Sequence, residues 1–135
     1  MQKIIRLIDA NTNRCLEGLR VLEDINRFLL DNRLLTKKLK NIRHKINREI
    51  EKLPLDTKKR LIFRDIKNDI GKTNIKSEFS RKNYRDIYFA NFARVKESLR
   101  VIEEFSKIYS KKSAVNFKRI RYTLYEIEKK SVKLC

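Results

Sequence analysis

The polar residues with the right types and spacing for chemistry sit in a stretch that the chain uses twice. Asp9, Asn11, Asn13, Arg14, Glu17, Arg20 and Asp24 crowd the first copy, and Asn91, Arg94, Glu97, Arg100 and Glu104 stand in the second. The offset is a constant 80 (91 − 11, 94 − 14, 100 − 20). Two helices sharing only a core pattern would match at apolar positions, whereas these match in Asn and Arg, so the chain reads as an internal duplication. An arginine fork suits phosphate or carboxylate, and paired asparagines can orient a ligand. On a wheel of about 100° per residue, Asn11 and Arg14 fall on the apolar side with Gly18, and Asn91 and Arg94 fall likewise beside Ser98. Two readings follow. Either the two Arg and two Asn form an anion pocket at the seam of the repeats, or each Arg pairs with a Glu of the other half and fixes the register, since a buried guanidinium must be paired.

Asp9, Asn13, Glu17, Arg20, Asp24 and Arg27 share the opposite face. Arg20 with Asp24, Glu17 with Arg20 and Asp24 with Arg27 form a ladder of charges worth a few tenths of a kcal/mol per pair. The second copy keeps Glu97, Arg100 and Glu104 but replaces Asp9 by Phe89 and Asn13 by Ala93. If there is one site rather than two, this asymmetry assigns Asp9 and Asn13 to it. A third group, Arg64, Asp65, Asp69 and Gly71, lies in an irregular segment. Its two carboxylates suit a magnesium ion, which takes one or two carboxylates plus substrate phosphates; they equally suit turns and caps. Gly71-Lys72-Thr73 is not a phosphate-binding P-loop, because Ile66 stands where the earlier glycine is needed and no strand precedes it. His44 is the lone histidine, and no catalytic triad or zinc spacing is present.

Long helices must position these groups. The periodicity predicts helices over about Ile4 to Leu30, Leu34 to Leu53, Tyr84 to Tyr109 and Ala114 to Lys130, with a short basic helix from Leu55 to Phe63. Lys40-Asn41-Ile42-Arg43 and Lys118-Arg119-Ile120-Arg121 repeat at an offset of 78 (121 − 43). The predicted fold is an all-α, single-domain bundle of two pseudo-repeated helical hairpins, about 4–53 and 84–130. A long crossover of residues 54–83 joins them, and such a loop in a compact domain is commonly functional. Two Gly and one Pro in 135 residues agree with long helices rather than a turn-rich sheet.

The net charge is +18, from 35 Lys and Arg against 17 Asp and Glu. Such an excess attracts polyanions, but the lysines are scattered, which disfavours a dedicated nucleic-acid stripe. No apolar run reaches about 18 residues, so no membrane span is expected. The N-terminus lacks a secretory pattern, and Cys15 and Cys135 are too few for a disulfide framework. The expected location is cytoplasmic.

Asp9-Ala10-Asn11, Asn13-Arg14, Glu17-Gly18-Leu19-Arg20-Val21, Arg43-His44, Arg64-Asp65, Asp69-Ile70-Gly71, Ala90-Asn91-Phe92, Glu97, Leu99-Arg100-Val101 and Arg121-Tyr122 together resemble a known family. It is the small helical domain often fused ahead of thiamine phosphate synthase, which also occurs alone and is associated with monofunctional hydroxymethylpyrimidine phosphate kinase activity. The resemblance spans nearly the whole chain. It implies phosphoryl transfer from ATP, with Mg2+, to hydroxymethylpyrimidine phosphate. Arg14 and Arg94 would clamp phosphates, Asn11 and Asn91 would orient substrate, and Asp65 and Asp69 would approach the metal. Asp9, Asn13, Glu17, Arg20, Arg43, His44, Arg64, Gly71, Glu97, Arg100 and Arg121 would contact substrate. Synthase activity is not carried over, because the synthase barrel is absent from this sequence. Alternatives are a non-catalytic accessory or ligand-binding domain associated with the synthase and a basic helical nucleic-acid binder. A synthase partner and a homo-oligomer are both compatible with the sequence.

Overall fold

The structure is a computed structural model that describes residues 1–134 and, apart from residues 77 and 78, their side chains. It contains α1 (Gln2–Asp24), a π-helical turn (Ile25–Leu29), α2 (Arg33–Glu51), α3 (Thr57–Ile62), a 3-10 turn (Lys76–Phe79), α4 (Tyr84–Ser106) and α5 (Lys111–Val132). No strand occurs among the described residues. The all-α expectation therefore holds.

Each helix start after the first is fixed by a polar side chain that accepts an otherwise unpaired N–H. Asn32 Oδ1 accepts from the Leu35 N–H at 3.0 Å, Asp56 from Lys58 at 2.8 Å, Asn83 from Arg85 at 2.9 Å and Ser110 from Ser113 at 3.1 Å. Ser110 explains why α5 begins at Lys111 rather than at Ala114. The first helix does not run evenly to Leu30. The buried Asn26 side chain donates to the Leu22 carbonyl at 2.9 Å, the acceptor that its own backbone N–H would use in an α-helix. The ladder widens there, and the Leu30 N–H reaches the Ile25 carbonyl at 3.1 Å. Asp31, with φ of 49°, then reverses the chain in the left-handed region that short polar residues tolerate.

α1 packs along α4, α4 on α5, α1 on α2 and α2 on α5, with α3 against α1. Three contacts show that α1 and α4 are antiparallel. Tyr109 donates to Met1 Sδ at 3.2 Å, Gly18 lies against Val95 and Asn91, and Asn26 Nδ2 donates to Tyr88 Oη at 2.7 Å. The pseudo-repeats thus meet across a seam about which their two central helices are exchanged. Gly18 is needed at its midpoint, since a Cβ there would come within 2.7 Å of Val95 Cγ2. The core fills with residues at helical spacing: Ile8, Leu19 and Leu22 from α1, Leu39 and Ile46 from α2, Tyr88, Phe92, Leu99 and Ile102 from α4, and Phe117 and Leu124 from α5. Burial of each such side chain contributes about 1.5–3 kcal/mol. Cys15 is buried and unpaired, and burial pushes its thiol far above the usual range; Cys135 lies outside the described residues.

Candidate active site

The crossover folds back on α1 and makes a cleft with it. Arg64 clamps Asp9 in a two-point contact, Nε to Oδ2 at 2.6 Å and Nη2 to Oδ1 at 3.2 Å. Asp9 is 4% exposed, so a buried carboxylate holds the arm of a loop otherwise open to water. The hydrogen bond that Arg64 donates to Asp9 chiefly raises the Arg64 pKa, with burial opposing it and Coulomb attraction adding to it. One turn earlier, Arg6 Nη2 donates to the Asp65 carbonyl at 2.8 Å. The resulting cleft, of about 210 Å³, is lined by Arg6, Asp9, Ala10, Asn13, Arg64, Asp65, Ile66 and Asp69. Five residues singled out in the sequence, Asp9, Asn13, Arg64, Asp65 and Asp69, therefore converge from segments more than fifty positions apart.

Both loop carboxylates are shaped by local turns. Asp65 accepts from the Asn68 side chain at 3.0 Å and from the Asn68 N–H at 3.1 Å, and these two bonds hold its pKa below the ordinary value. Asp69 Oδ1 accepts from the Gly71 N–H at 2.9 Å. Gly71 itself stands outside the cleft lining, and no glycine among the described residues has positive φ. No cluster of three or more His, Cys, Asp or Glu that could hold a metal occurs among the described residues. Asp65 and Asp69, each with lone pairs to spare, could supply part of the oxygen shell of a divalent cation but do not form a closed protein cage.

The seam differs from the wheel. Arg14 and Arg94 are exposed, not buried against the partner helix. Both sit at the edge of the α1–α4 contact, and a long flexible stem lets the guanidinium stay in water instead of entering an apolar seam unpaired. Asn11 is buried and Asn91 half-buried; their amides donate to the carbonyls one turn back, Leu7 at 2.9 Å and Ile87 at 2.8 Å. The register-keeping ion pairs do exist, but with other members and within each hairpin rather than across the halves. Arg43 of α2 binds the buried Glu23 of α1 at 3.0 Å, and Arg121 of α5 binds the buried Glu103 of α4 at 2.8 Å. Arg20 approaches Glu23 at 3.6 Å and Arg100 binds Glu103 at 3.0 Å. The expected Arg20–Asp24 and Glu17–Arg20 rungs are thus not formed; Arg20 turns to the carboxylate already anchored by Arg43. Arg100 also reaches Glu104 at 2.8 Å. Glu17 and His44 are exposed. Glu97, Arg100 and Arg121 line a separate cleft with Lys96 and Tyr125 on the α4–α5 side.

Comparison with known proteins bears on this arrangement. Residues 6–130 match the ThiD2 family. The chain belongs to the ThiD2 family. Its curated relatives include proteins named thiamine-phosphate synthase. One from Nostoc punctiforme is 35% identical over 128 residues, covering 94% of this chain and 35% of the relative. One from Synechocystis is 36% identical over 126 residues, covering 93% and 35%. One from Prochlorococcus marinus strain AS9601 is 38% identical over 131 residues, covering 93% and 34%. The chain therefore spans about a third of the length of these relatives, and the match places this ThiD2 chain in the context of thiamine biosynthesis. No solved structure matches it. No described helix is long and apolar enough to cross a membrane.

Sequence reasoning passed over Arg6, Glu23 and Glu103 as site-forming residues of this ThiD2 chain. For the two glutamates the signal was available, since they match at the offset of 80 shared by Arg20 and Arg100, while their other partners, Arg43 and Arg121, match at 78. Arg6 carries no such mark: its role depends on where the crossover lands.

Proposed function

We propose that this ThiD2 chain phosphorylates hydroxymethylpyrimidine phosphate to the diphosphate, with ATP as donor. The observation that carries the reading is the cleft between α1 and the crossover, where two arginines and three carboxylates meet Asn13. Phosphoryl transfer depends mainly on positioning and on stabilising charge, and this cleft supplies both. Asp9 uses Nε and Nη2 of Arg64, leaving Nη1 and the second Nη2 hydrogen for phosphate oxygens. Arg6, fixed by the Asp65 carbonyl, offers further donors from the adjacent turn. Arg14 lies one turn beyond the cleft residue Ala10 on the same side of α1. It is exposed, and Arg94 is exposed at the other edge of the seam, so both remain free to clamp phosphates. Asn13, with its amide donor and acceptor, would orient the pyrimidine.

The acceptor is already an ionised phosphate, so its oxygen attacks the γ-phosphorus directly; the new O–P bond forms as the bond from that phosphorus to the β-phosphate oxygen breaks, and ADP leaves. No strong general base is required, which suits a cleft without histidine or cysteine. Asp65 and Asp69 would hold the magnesium ion, which neutralises charge on the transferring phosphates when bound. The pKa of Asp65 lies below its ordinary value, so it is ionised and ready to ligate at neutral pH.

The test is ADP release by purified protein supplied with ATP, magnesium and hydroxymethylpyrimidine phosphate. Asp65→Asn and Asp69→Asn should lower turnover by at least about tenfold with far-ultraviolet circular dichroism unchanged. Wild-type turnover that persists in both variants would remove the cleft from the mechanism. A non-catalytic ligand-binding domain is the second reading. It is favoured by the two-point Asp9 contact, which already occupies part of Arg64; it predicts tight pyrimidine phosphate binding and no ADP.

A further inference from the structure

The duplication has produced two basic clefts, one beside the turn of each hairpin, and they have not stayed alike. The first lies between the end of the first helical arm and the start of α2, where Arg27, Arg33 and Lys40 line about 470 Å³ together with Asp31, Thr36 and Lys37. The second lies between the end of α4 and the start of α5 and is larger, about 810 Å³. Three of its five cations are sequence counterparts of the first set: Lys107 for Arg27 (107 − 27 = 80), then Lys111 for Arg33 and Lys118 for Lys40 (both offset by 78); Arg100 and Arg121 are added. The floor has changed. Thr36 has become Ala114 and Lys37 has become Val115, and Tyr122, whose counterpart His44 does not line the first cleft, joins the second. The second cleft therefore combines a cationic rim with an apolar and aromatic floor, which the first lacks.

We infer that the α4–α5 cleft binds a nucleoside polyphosphate, with its phosphates on Lys107, Lys111 and Lys118 and its base against Val115 and Tyr122. The one carboxylate in the lining, Glu103, is already bound by Arg100 at 3.0 Å and by Arg121 at 2.8 Å, so it does not cancel the rim. Lys111 and Lys118 form no ion pair with a carboxylate among the described residues, whereas Lys107 is paired with the half-exposed Glu104 at 2.7 Å and would have to share its ammonium with a phosphate. Lys111 also opens α5, a helix of 22 residues, whose first N–H groups and dipole add positive potential at the same mouth. Tyr122 is half in water, with the Arg121 guanidinium 5.3 Å and Lys118 Nζ 5.8 Å from its ring centre. A ring beside a guanidinium plane is a stacking platform for a flat heterocycle, and stacking tolerates any base. Phosphates alone would need only the lysines; the aromatic floor is what points to a nucleotide.

The inference deepens the kinase reading by giving the donor nucleotide a site of its own, and it rests on that reading only for the choice of ATP. Antiparallel packing puts this cleft at the right height. Gly18 faces Asn91 and Val95, so α1 residues near the Asp9 cleft lie level with α4 residues near Arg100 and Glu103.

The probe is ATP alone, titrated calorimetrically into the full chain without pyrimidine phosphate, with inorganic tripolyphosphate as the comparison ligand. K111E/K118E should weaken ATP at least about twentyfold, because two charge-assisted contacts become repulsive. K37E/K40E carries the same charge change in the other cleft and should shift ATP less than about threefold, as expected for a screened distant field. Tyr122→Ser should weaken ATP roughly tenfold and leave tripolyphosphate unchanged. Equal losses in the two charge-reversal variants, or equal losses of ATP and tripolyphosphate in Tyr122→Ser, would overturn the site. Circular dichroism of each variant separates these outcomes from unfolding. Kinase turnover with ATP affinity unchanged in K111E/K118E defeats the site alone. ATP binding that is lost in that variant, with no turnover in the wild type, defeats the kinase alone.

Discussion

Removing Arg64 should cost stability because of what it leaves behind. In Arg64→Met the Asp9 carboxylate, 4% exposed, loses both of its hydrogen bonds from the guanidinium. Breaking a fully buried ion pair costs about 3–5 kcal/mol, and an exposed pair is worth about 0–1 kcal/mol. The Asp9 side chain is buried but that of Arg64 is 41% exposed. The loss should therefore lie between, at about 1.5–2.5 kcal/mol. Asp9→Asn removes the charge but keeps a short polar group, and should cost about 1 kcal/mol. The double variant no longer buries an unpaired charge, so its cost should fall short of the sum by about 1–1.5 kcal/mol. Urea unfolding of the four proteins, read by circular dichroism, measures that coupling. Limited proteolysis should cut Arg64→Met within residues 64–75 faster than the wild type, because the crossover loses its main tether to α1. Strict additivity, with coupling below about 0.3 kcal/mol, would mean that Asp9 does not hold the crossover, and the cleft would lose its physical basis.

Other expected outcomes are as direct. Gly18→Ala gains about 1 kcal/mol of helix propensity, but its Cβ would meet Val95 Cγ2 at 2.7 Å; net destabilisation should appear as a lower thermal midpoint and be relieved in G18A/V95A relative to V95A. Tyr88→Phe removes a buried hydroxyl that donates to Ser131 at 3.0 Å and accepts from Asn26 at 2.7 Å, and should cost about 1–3 kcal/mol in urea. Burial raises the Glu49 pKa, but hydrogen bonds from Asn116, Lys52 and Ser113 outweigh it and the net shift is downward. Its contribution is thus present above the ordinary glutamate value and lost as pH falls through the lower folded value, so Glu49→Gln should flatten the acid limb of the stability curve below about pH 4.3. Cys15, its thiol pushed up by burial, should resist alkylation at pH 8 in a C135S background until the protein is unfolded.

Helices and their pairing were legible because periodicity, caps and the repeat offset are local or regular signals. Arg14 shows where the wheel stops. An angular position cannot say whether a long side chain at the edge of a seam turns inward, and here desolvation cost decides for water. Asp9 and Asn13 were marked by their loss in the second copy, and both line the cleft. Their partners Arg64 and Arg6 were not paired with them in advance, since a crossover of thirty residues has no period that fixes where it lands. The break at Ile25–Leu29 was equally hidden, because it arises from one buried amide, Asn26, bonding both to its own helix and to Tyr88.

Phosphorus NMR of a mixture holding only this protein, ATP, magnesium and hydroxymethylpyrimidine phosphate tests the central claim most directly. The account predicts that the monophosphate resonance gives way to two coupled diphosphate resonances of the pyrimidine ester while ADP accumulates in equal amount. Folded protein that leaves both substrates unchanged, or that releases ADP and inorganic phosphate without a pyrimidine diphosphate, would contradict it.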